Sequence, residues 1–414
     1  MAIAIETLTQ VNPENEWRLE TPGSAGWARS VRPGSPNKYF MVSCDSHLGP
    51  PRGLFADRIE PRYRDRLPRM ERDDKGVLWQ IVDGARPTRI LEQPLAGEDE
   101  YRTRAGTSGG LDEHTSDIER RLADMAHDGV DAELVFPNGA AIFGFWTADA
   151  EFSQAQMRVY NDWAAELLGG HRDRIKVAAG VATADVDSAI REVHRVARMG
   201  YEILLLPEKP IFGPSLPSHI NYNLPMYDPL WAAIEETGMP ITFHISTSGD
   251  PRGQKGPGGA VINYCVHALP PMISPVVNLC ASGILDRFPK LRFATIEAGA
   301  GWVPWLLNAM DEAYRKHHMW VQPKLKHGLP SDYYRMHGAS EVAEDVVAME
   351  LVEKFQLEDN LLWGNDYPHH EGTFPHSAEA IERQMAGISE KARAKILGLN
   401  AARLLGFRPP ADHA

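Results

Sequence analysis

Short apolar runs of strand length recur from residue 39 onward and alternate with amphipathic stretches of helical period. That alternation marks βα units feeding a parallel sheet. Eight runs predict strands: 39–47 (YFMVSCDSH), 131–137 (DAELVFP), 175–182 (IKVAAGVA), 201–207 (YEILLLP), 239–246 (MPITFHIS), 291–298 (LRFATIEA), 333–340 (YYRMHGAS) and 361–368 (LLWGNDYP). Helices are predicted between them. The stretch 153–170 places Met157, Tyr160, Ala164 and Leu167 on one face, 185–200 opens on a capping Asp185 and stops at Gly200, and 227–240 stops at Gly238. A last helical segment, 388–407, is broken at Gly398.

Eight strands are the number that closes a barrel filled by its own side chains, so the pattern predicts an α/β protein, a (β/α)8 TIM barrel over residues 40–407. Residues 1–39 are polar and read as an N-terminal arm that docks on the barrel or on a neighbouring subunit, which implies an oligomer. The first strand is separated from the next helix by an Arg-rich insertion, 48–115, of the kind that forms lids and substrate walls. Residues 408–414 form a tail. Trp302, Trp305 and Trp320 are read as core packing.

Composition changes this picture only by exclusion. The 414 residues carry a formal net charge of −13, so no positive field draws in nucleic acid. Three cysteines (Cys44, Cys265 and Cys280) without a CxxC spacing exclude a disulfide framework and a thiolate zinc site. The opening MAIAIETLTQ has no basic start or long apolar run, and no stretch approaches 18 consecutive apolar residues. The expectation is a cytoplasmic enzyme that engages no membrane.

Candidate chemistry sits at the predicted strand ends. Asp45 and His47 are two apart on the first strand and so point to one side. His244 ends the fifth strand, Glu297 the sixth and Asp366 the eighth, with His369 and His370 just behind. A barrel gathers the C-terminal ends of distant strands around one mouth. Asp45, His47, His244 and Asp366 would then share one divalent cation. A lone D-x-H or a lone strand-end histidine is commonplace, whereas four such residues in order on successive βα units form a specific signal. Glu297 has three readings: a general base, a ligand to a second ion, or the partner of a lid arginine. His369 and His370 either ligate or orient Asp366. His376 and His267 are read as supporting or loop residues. Arg52, Arg89, Arg102 and Arg104 offer guanidinium groups for a substrate carboxylate.

The segments CDSHLGPPRGLF (44–55), DGVDAELVFP (128–137), YNDW (160–163), MPITFHIS, DRFPKLRFATIEAGAGWVPWLL (286–307), LLWGNDYPHHEGTFPHS (361–377) and LGLNAARLLGF (397–407) resemble the amidohydrolase-2 branch of the amidohydrolase superfamily, relatives of aminocarboxymuconate-semialdehyde decarboxylase. The likeness spans about 40–407. It implies a metal held by Asp45, His47, His244 and Asp366. It also implies a histidine at the end of strand six that moves a proton or activates water; this chain has Glu297 there instead.

The carboxylate at that position and the extra histidines make the chain similar to a subgroup of dinuclear non-heme oxygenases. On that resemblance the favoured expectation is an Fe or Mn/Fe monooxygenase hydroxylating an aliphatic C–H of a small carboxylate-type substrate. Asp45, His47, His244 and Asp366 would hold one ion, Glu297 with His369 or His370 the other, and a reductase would supply electrons. The alternative is a mononuclear Zn or Mn hydrolase or decarboxylase acting on a small carboxylic acid, with Glu297 and His369 catalytic. A third reading is a structural subunit paired with a catalytic paralogue.

Overall fold

A computed structural model describes residues 39–83, 87–89, 115–147, 149–210, 220–247, 257–317, 319–320, 324–369 and 372–409. The proposed arm (apart from Tyr39), His370, Arg102 and Arg104 lie outside the described residues.

The described chain winds into the expected barrel. Its first strand is interrupted, running as β1 (Val42–Ser43) and β2 (His47–Leu48). The insertion carries a short antiparallel sheet of β3 (Arg69–Arg72), β4 (Leu78–Ile81) and β5 (Thr88–Arg89). The remaining barrel strands are β6 (Ala132–Pro137), β7 (Ile175–Gly180), β8 (Ile203–Leu206), β9 (Ile241–His244), β10 (Phe293–Ile296), β11 (Gly338–Val342) and β12 (Leu361–Trp363). They pair in parallel in the order β1-β6-β7-β8-β9-β10-β11-β12, with β2 also on β6. Closure comes from the last strand meeting the first: the Cys44 N–H donates to the Trp363 carbonyl at 2.8 Å, the Asp366 N–H to the Asp45 carbonyl at 2.9 Å, and the His47 N–H to the Tyr367 carbonyl at 2.7 Å.

Strand residues alternate between inside and outside. Leu134, Leu205, Ala294, Ile296, Ala339 and Leu362 belong to one buried cluster that fills the interior. The intervening Leu204, Leu206, Ile241, Phe243 and Trp363 pack outward against the helices. Both faces of each strand are thus apolar, which is why the strands read as continuous runs. The helices follow their capping signals. Asp185 accepts the Ser188 N–H at 2.6 Å to open Val186–Arg198, and Gly238, at φ 72°, ends Asp228–Thr237.

Three expectations are corrected. Strand seven is β11, Gly338–Val342, and most of the stretch 333–340 is the end of helix Pro330–His337. Pro330 opens that helix, Asp332 accepts the Leu329 N–H at 2.8 Å, and Tyr333, Tyr334 and His337 form its buried face at helical spacing. The aromatic residues that suggested a strand are therefore a helix's core stripe. Residues 395–399 pass through a wide π turn rather than a break. Of the three tryptophans, Trp302 is half-buried, but Trp305 and Trp320 are exposed, 62% and 74% accessible.

Among the described residues, one helical stretch, Asn263–Ala281, has the length and mean hydropathy of a membrane span. It contains Pro275 and buries Met272, Val276 and Leu279 in the main core, which is the placement of a packed helix of the barrel's outer layer.

Gly398 ties the last helix to the start of the first strand, since a Cβ there would lie 2.2 Å from the Phe40 carbonyl oxygen. Gly398→Ala is expected to destabilise the fold by about 1–3 kcal/mol, the usual cost of overpacking. Urea denaturation measures this, and a variant as stable as the parent would show that this contact constrains nothing.

Candidate metal centre

Every site residue leaves the barrel at a strand end. Asp45 lies in the interruption between β1 and β2, and His47 begins β2. His244 is the last residue of β9, Glu297 follows β10, and Asp366 follows β12. Glu297 (φ 58°) and Asp366 (φ 53°) occupy the left-handed region, which non-glycine residues seldom adopt. Such conformations persist only where surroundings over-determine them, and they gather at functional sites.

The groups converge. His47 Nε2 lies 3.4 Å from Asp45 Oδ1, 3.0 Å from Asp366 Oδ1 and 3.8 Å from Glu297 Oε2. His244 Nε2 lies 3.5 Å from Asp45 Oδ1 and 3.1 Å from Glu297 Oε2. Two overlapping sets have all their donor atoms within 4.8 Å of one another: Asp45, His47, His244 and Glu297, and His47, Glu297, Asp366 and His369. The ring of His369 lies against that of His47 with centroids 4.0 Å apart, and its Nδ1 is 2.8 Å from Asp366 Oδ1. Among the described contacts of Glu297 the charged partners are the two histidines, not an arginine. His376 is buried at the start of helix Ser377–Met385 and belongs to neither set, and His267 is exposed. Arg52 and Arg89 are exposed.

These residues fit a divalent ion. Asp45 Oδ1, His47 Nε2 and His244 Nε2 are buried and make no hydrogen bond within the protein. Three such atoms aimed at one point would be costly unless a cation lay among them. His244 Nδ1 lies 2.8 Å from the Ile245 carbonyl, which leaves the Nε2 lone pair facing the centre. Mixed carboxylate and imidazole donors suit Mn, Fe or Zn.

The same convergence shifts the titration of these groups. Burial raises the Asp45 pKa, but the flanking imidazoles of His244 and His47 outweigh it and hold Asp45 below the usual carboxylate range. Burial disfavours charge on His244, yet Glu297 and Asp45 draw its pKa well up. Glu297 is pushed up, first by burial and then by the charge of Asp366.

Three supporting residues were not legible as site residues. Arg121 is fully buried and paired with buried Glu133. It donates to the His47 carbonyl at 2.8 Å and to Ser46 Oγ at 3.0 Å, fixing the β2 turn from behind. Asp128 accepts from Asn365 Nδ2 at 2.9 Å and Ser377 Oγ at 2.6 Å, beneath Asp366. Glu341, the fourth residue of β11, is buried and accepts the Glu297 N–H at 2.9 Å. Correct placement of strand seven is the signal that finds Glu341.

Comparison with known proteins places the site in context. The sequence profile described as Amidohydrolase matches residues 45–407. A gamma-resorcylate decarboxylase from Rhodococcus jostii is 28% identical over 264 residues, covering 59% of this chain and 74% of that protein. An amidohydrolase of solved structure from Mycobacterium avium subsp. paratuberculosis superposes with a TM-score of 0.71 at 24% identity, over 89% of this chain and 100% of the other. A dihydroxybenzoic acid decarboxylase from Polaromonas sp., solved with manganese and 2-nitroresorcinol, gives a TM-score of 0.59 at 18% identity, over 90% and 98% of the two chains.

Burial pushes the Asp128 carboxyl up to about 7 against the opposing hydrogen bonds of Ser377 and Asn365. Between its ordinary value of 3.8 and about 7 the folded state therefore holds a proton that the unfolded chain releases, and stability falls as pH rises through that window. Asp128→Asn is expected to remove about 1.4 kcal/mol per pH unit of that slope. Urea midpoints of parent and variant between pH 4.5 and 7 test this, and parallel curves would contradict it.

Proposed function

Because the chain belongs to the amidohydrolase family, we propose that it is a metal-dependent decarboxylase of a small hydroxylated aromatic acid, with Asp45, His47, His244 and Asp366 holding the ion. The observation carrying this reading is the convergence of Asp45 Oδ1, His47 Nε2 and His244 Nε2, buried and without hydrogen bonds, on one point beside Glu297 and Asp366. The decarboxylase relatives shift the weight from hydroxylation, the favoured expectation from sequence, to its alternative.

When bound, the ion would orient the substrate carboxylate and offset its charge. Burial and the neighbouring Asp366 push the Glu297 carboxyl above its ordinary range, which suits it to carry a proton toward carbon. It passes that proton to the ring carbon bearing the carboxylate. The bond to CO₂ then breaks, its electron pair returns to the ring, and Glu297 is left ionised until it takes a proton from water. A ring hydroxyl assists by stabilising the protonated ring. Glu297 thus takes the part implied for the family's strand-six histidine. His369, on Asp366 Oδ1, holds that ligand in place. Phe136 packs behind His244 with ring centroids 4.9 Å apart, and the Trp146 indole N–H donates to the Ser246 carbonyl at 2.6 Å, so both brace the end of β9.

One observation favours a second reading. The two donor sets share His47 and Glu297, an arrangement that two ions would occupy and that a dinuclear oxygenase needs. The readings differ in their need for oxygen. Manganese-loaded protein under anaerobic conditions is expected to release CO₂ from 2,6-dihydroxybenzoate or a close analogue, and to lose this on chelation. Asp366→Ala is expected to lower kcat/KM by about 10³-fold, since the ion's contribution amounts to several kcal/mol. Turnover that requires O₂ and yields a hydroxylated acid would overturn the decarboxylase reading.

A further inference from the structure

The turn after β10, Glu297-Ala298-Gly299-Ala300-Gly301, is held by two carboxylates from β11 and the segment beyond it. Pairing between β10 and β11 runs through Phe293–Gly338, Ala294–Ala339 and Thr295–Ser340 and then stops. At Glu297 the main-chain N–H donates to a side chain instead, Glu341 Oε2, at 2.9 Å. Asp345 Oδ2 accepts two amides at the far end of the turn, Ala300 N–H at 2.8 Å and Gly301 N–H at 2.7 Å. The glycines make this approach possible: a Cβ on Gly299 would lie 2.8 Å from Asp345 Oδ2, and one on Gly301 would lie 2.9 Å from Oδ1. The two glycines behind Glu297 are therefore explained by a carboxylate, not by turn geometry alone.

Glu341 is 1% accessible, and its Oε1 has no hydrogen-bond partner. That oxygen would lie 2.7 Å from a Cβ on Gly364, which would also lie 2.7 Å from Asp45 Cβ. Burying a carboxylate to supply one acceptor is expensive when a backbone carbonyl supplies one for nothing. The difference is that a carbonyl would continue the ladder, whereas a side chain satisfies the N–H while the strand breaks away. That break is what allows Glu297 its left-handed backbone at φ 58°.

We infer that Glu341 is a positioning residue for Glu297, standing in for the missing ladder partner, with Asp345 anchoring the far end of the same turn. The inference rests on the reading of Glu297 as proton donor for its kinetic consequence, but not for its structural one. Glu341→Gln keeps an acceptor oxygen at the same reach; Glu341→Ala and the volume-keeping Glu341→Leu do not. In manganese-loaded enzyme the Ala or Leu change is expected to lower kcat at least about tenfold, as misplacing a reacting group does. KM and the manganese affinity read by calorimetry stay within about threefold of the parent, and Gln restores most of the loss. In a Glu297→Gln background the Ala or Leu change costs nothing further. A loss of the same size in both backgrounds, or a Gln variant as impaired as Ala, would overturn the inference. Amide hydrogen exchange over 293–301 needs no turnover. It should quicken in the Ala and Leu variants, and not in Gln, even if no aromatic acid proves to be a substrate. Unchanged exchange there refutes the positioning role, whereas quickened exchange without any decarboxylation refutes only the proposed reaction.

Discussion

The N–H of Asp366 donates to the carbonyl of Asp45 at 2.9 Å, and the rest of the site depends on that seam. It is one of three main-chain bonds by which the last barrel strand meets the first, alongside Cys44 to Trp363 and His47 to Tyr367. Until the barrel closes, Asp45 and His47 lie at one end of the folded chain and Asp366 near the other. Once it closes, His47 Nε2 stands 3.0 Å from Asp366 Oδ1. The local residues are arranged around this seam. Gly364 is bare because a Cβ would strike Asp45, Ser43 Oγ donates to Asn365 Oδ1 at 2.8 Å, and Arg121 braces the His47 carbonyl from the opposite side. Assembly of the centre and completion of the fold are one event.

The same closure creates an electrostatic problem. Asp45, Glu297, Asp366 and Glu341 are brought close around two imidazoles in a space with little solvent. The two histidines relieve only part of it: they hold Asp45 ionised, while Glu297 and Glu341 are pushed up by burial and by their acidic neighbours. A divalent cation among these groups would offset the rest. Glu297, common to both donor sets, feels both the imidazoles and the neighbouring carboxylates.

The barrel and the polar residues that converge at its strand ends were legible in the sequence for one reason. Both faces of each parallel strand are buried, so the strands appear as apolar runs, and a polar residue ending such a run stands out. Asp45, His47, His244 and Asp366 all stand out in this way. Where that contrast fails, so does the reading. Tyr333 and Tyr334 gave an aromatic run that is the buried stripe of a helix, which moved strand seven off its place and concealed Glu341. Arg121 and Asp128 sit on a helix among other charged residues, and nothing in their spacing separates a fully buried charge from a solvated one. Trp305 and Trp320 show the converse error, since large apolar residues are not obliged to be inside.

The two classes of residue around the centre are held by different means, and this bears on why strand six tolerates a carboxylate. His244 ends a strand laddered on both sides: it is itself in register with Ile296 of β10, and pairing with β8 runs up to Phe243 just before it. Its position is therefore inherited from the sheet. Glu297 lies one residue beyond the ladder, and its placement is set by side chains, Glu341 for its own amide and Asp345 for the turn behind it. A residue governed by the sheet can change only with the barrel. A residue governed by two neighbouring carboxylates can change identity together with them, while the barrel strands stay as they are. The matched family frame and a carboxylate where the resemblance implies a strand-six histidine are thus compatible, because they reside in separately supported parts of one rim.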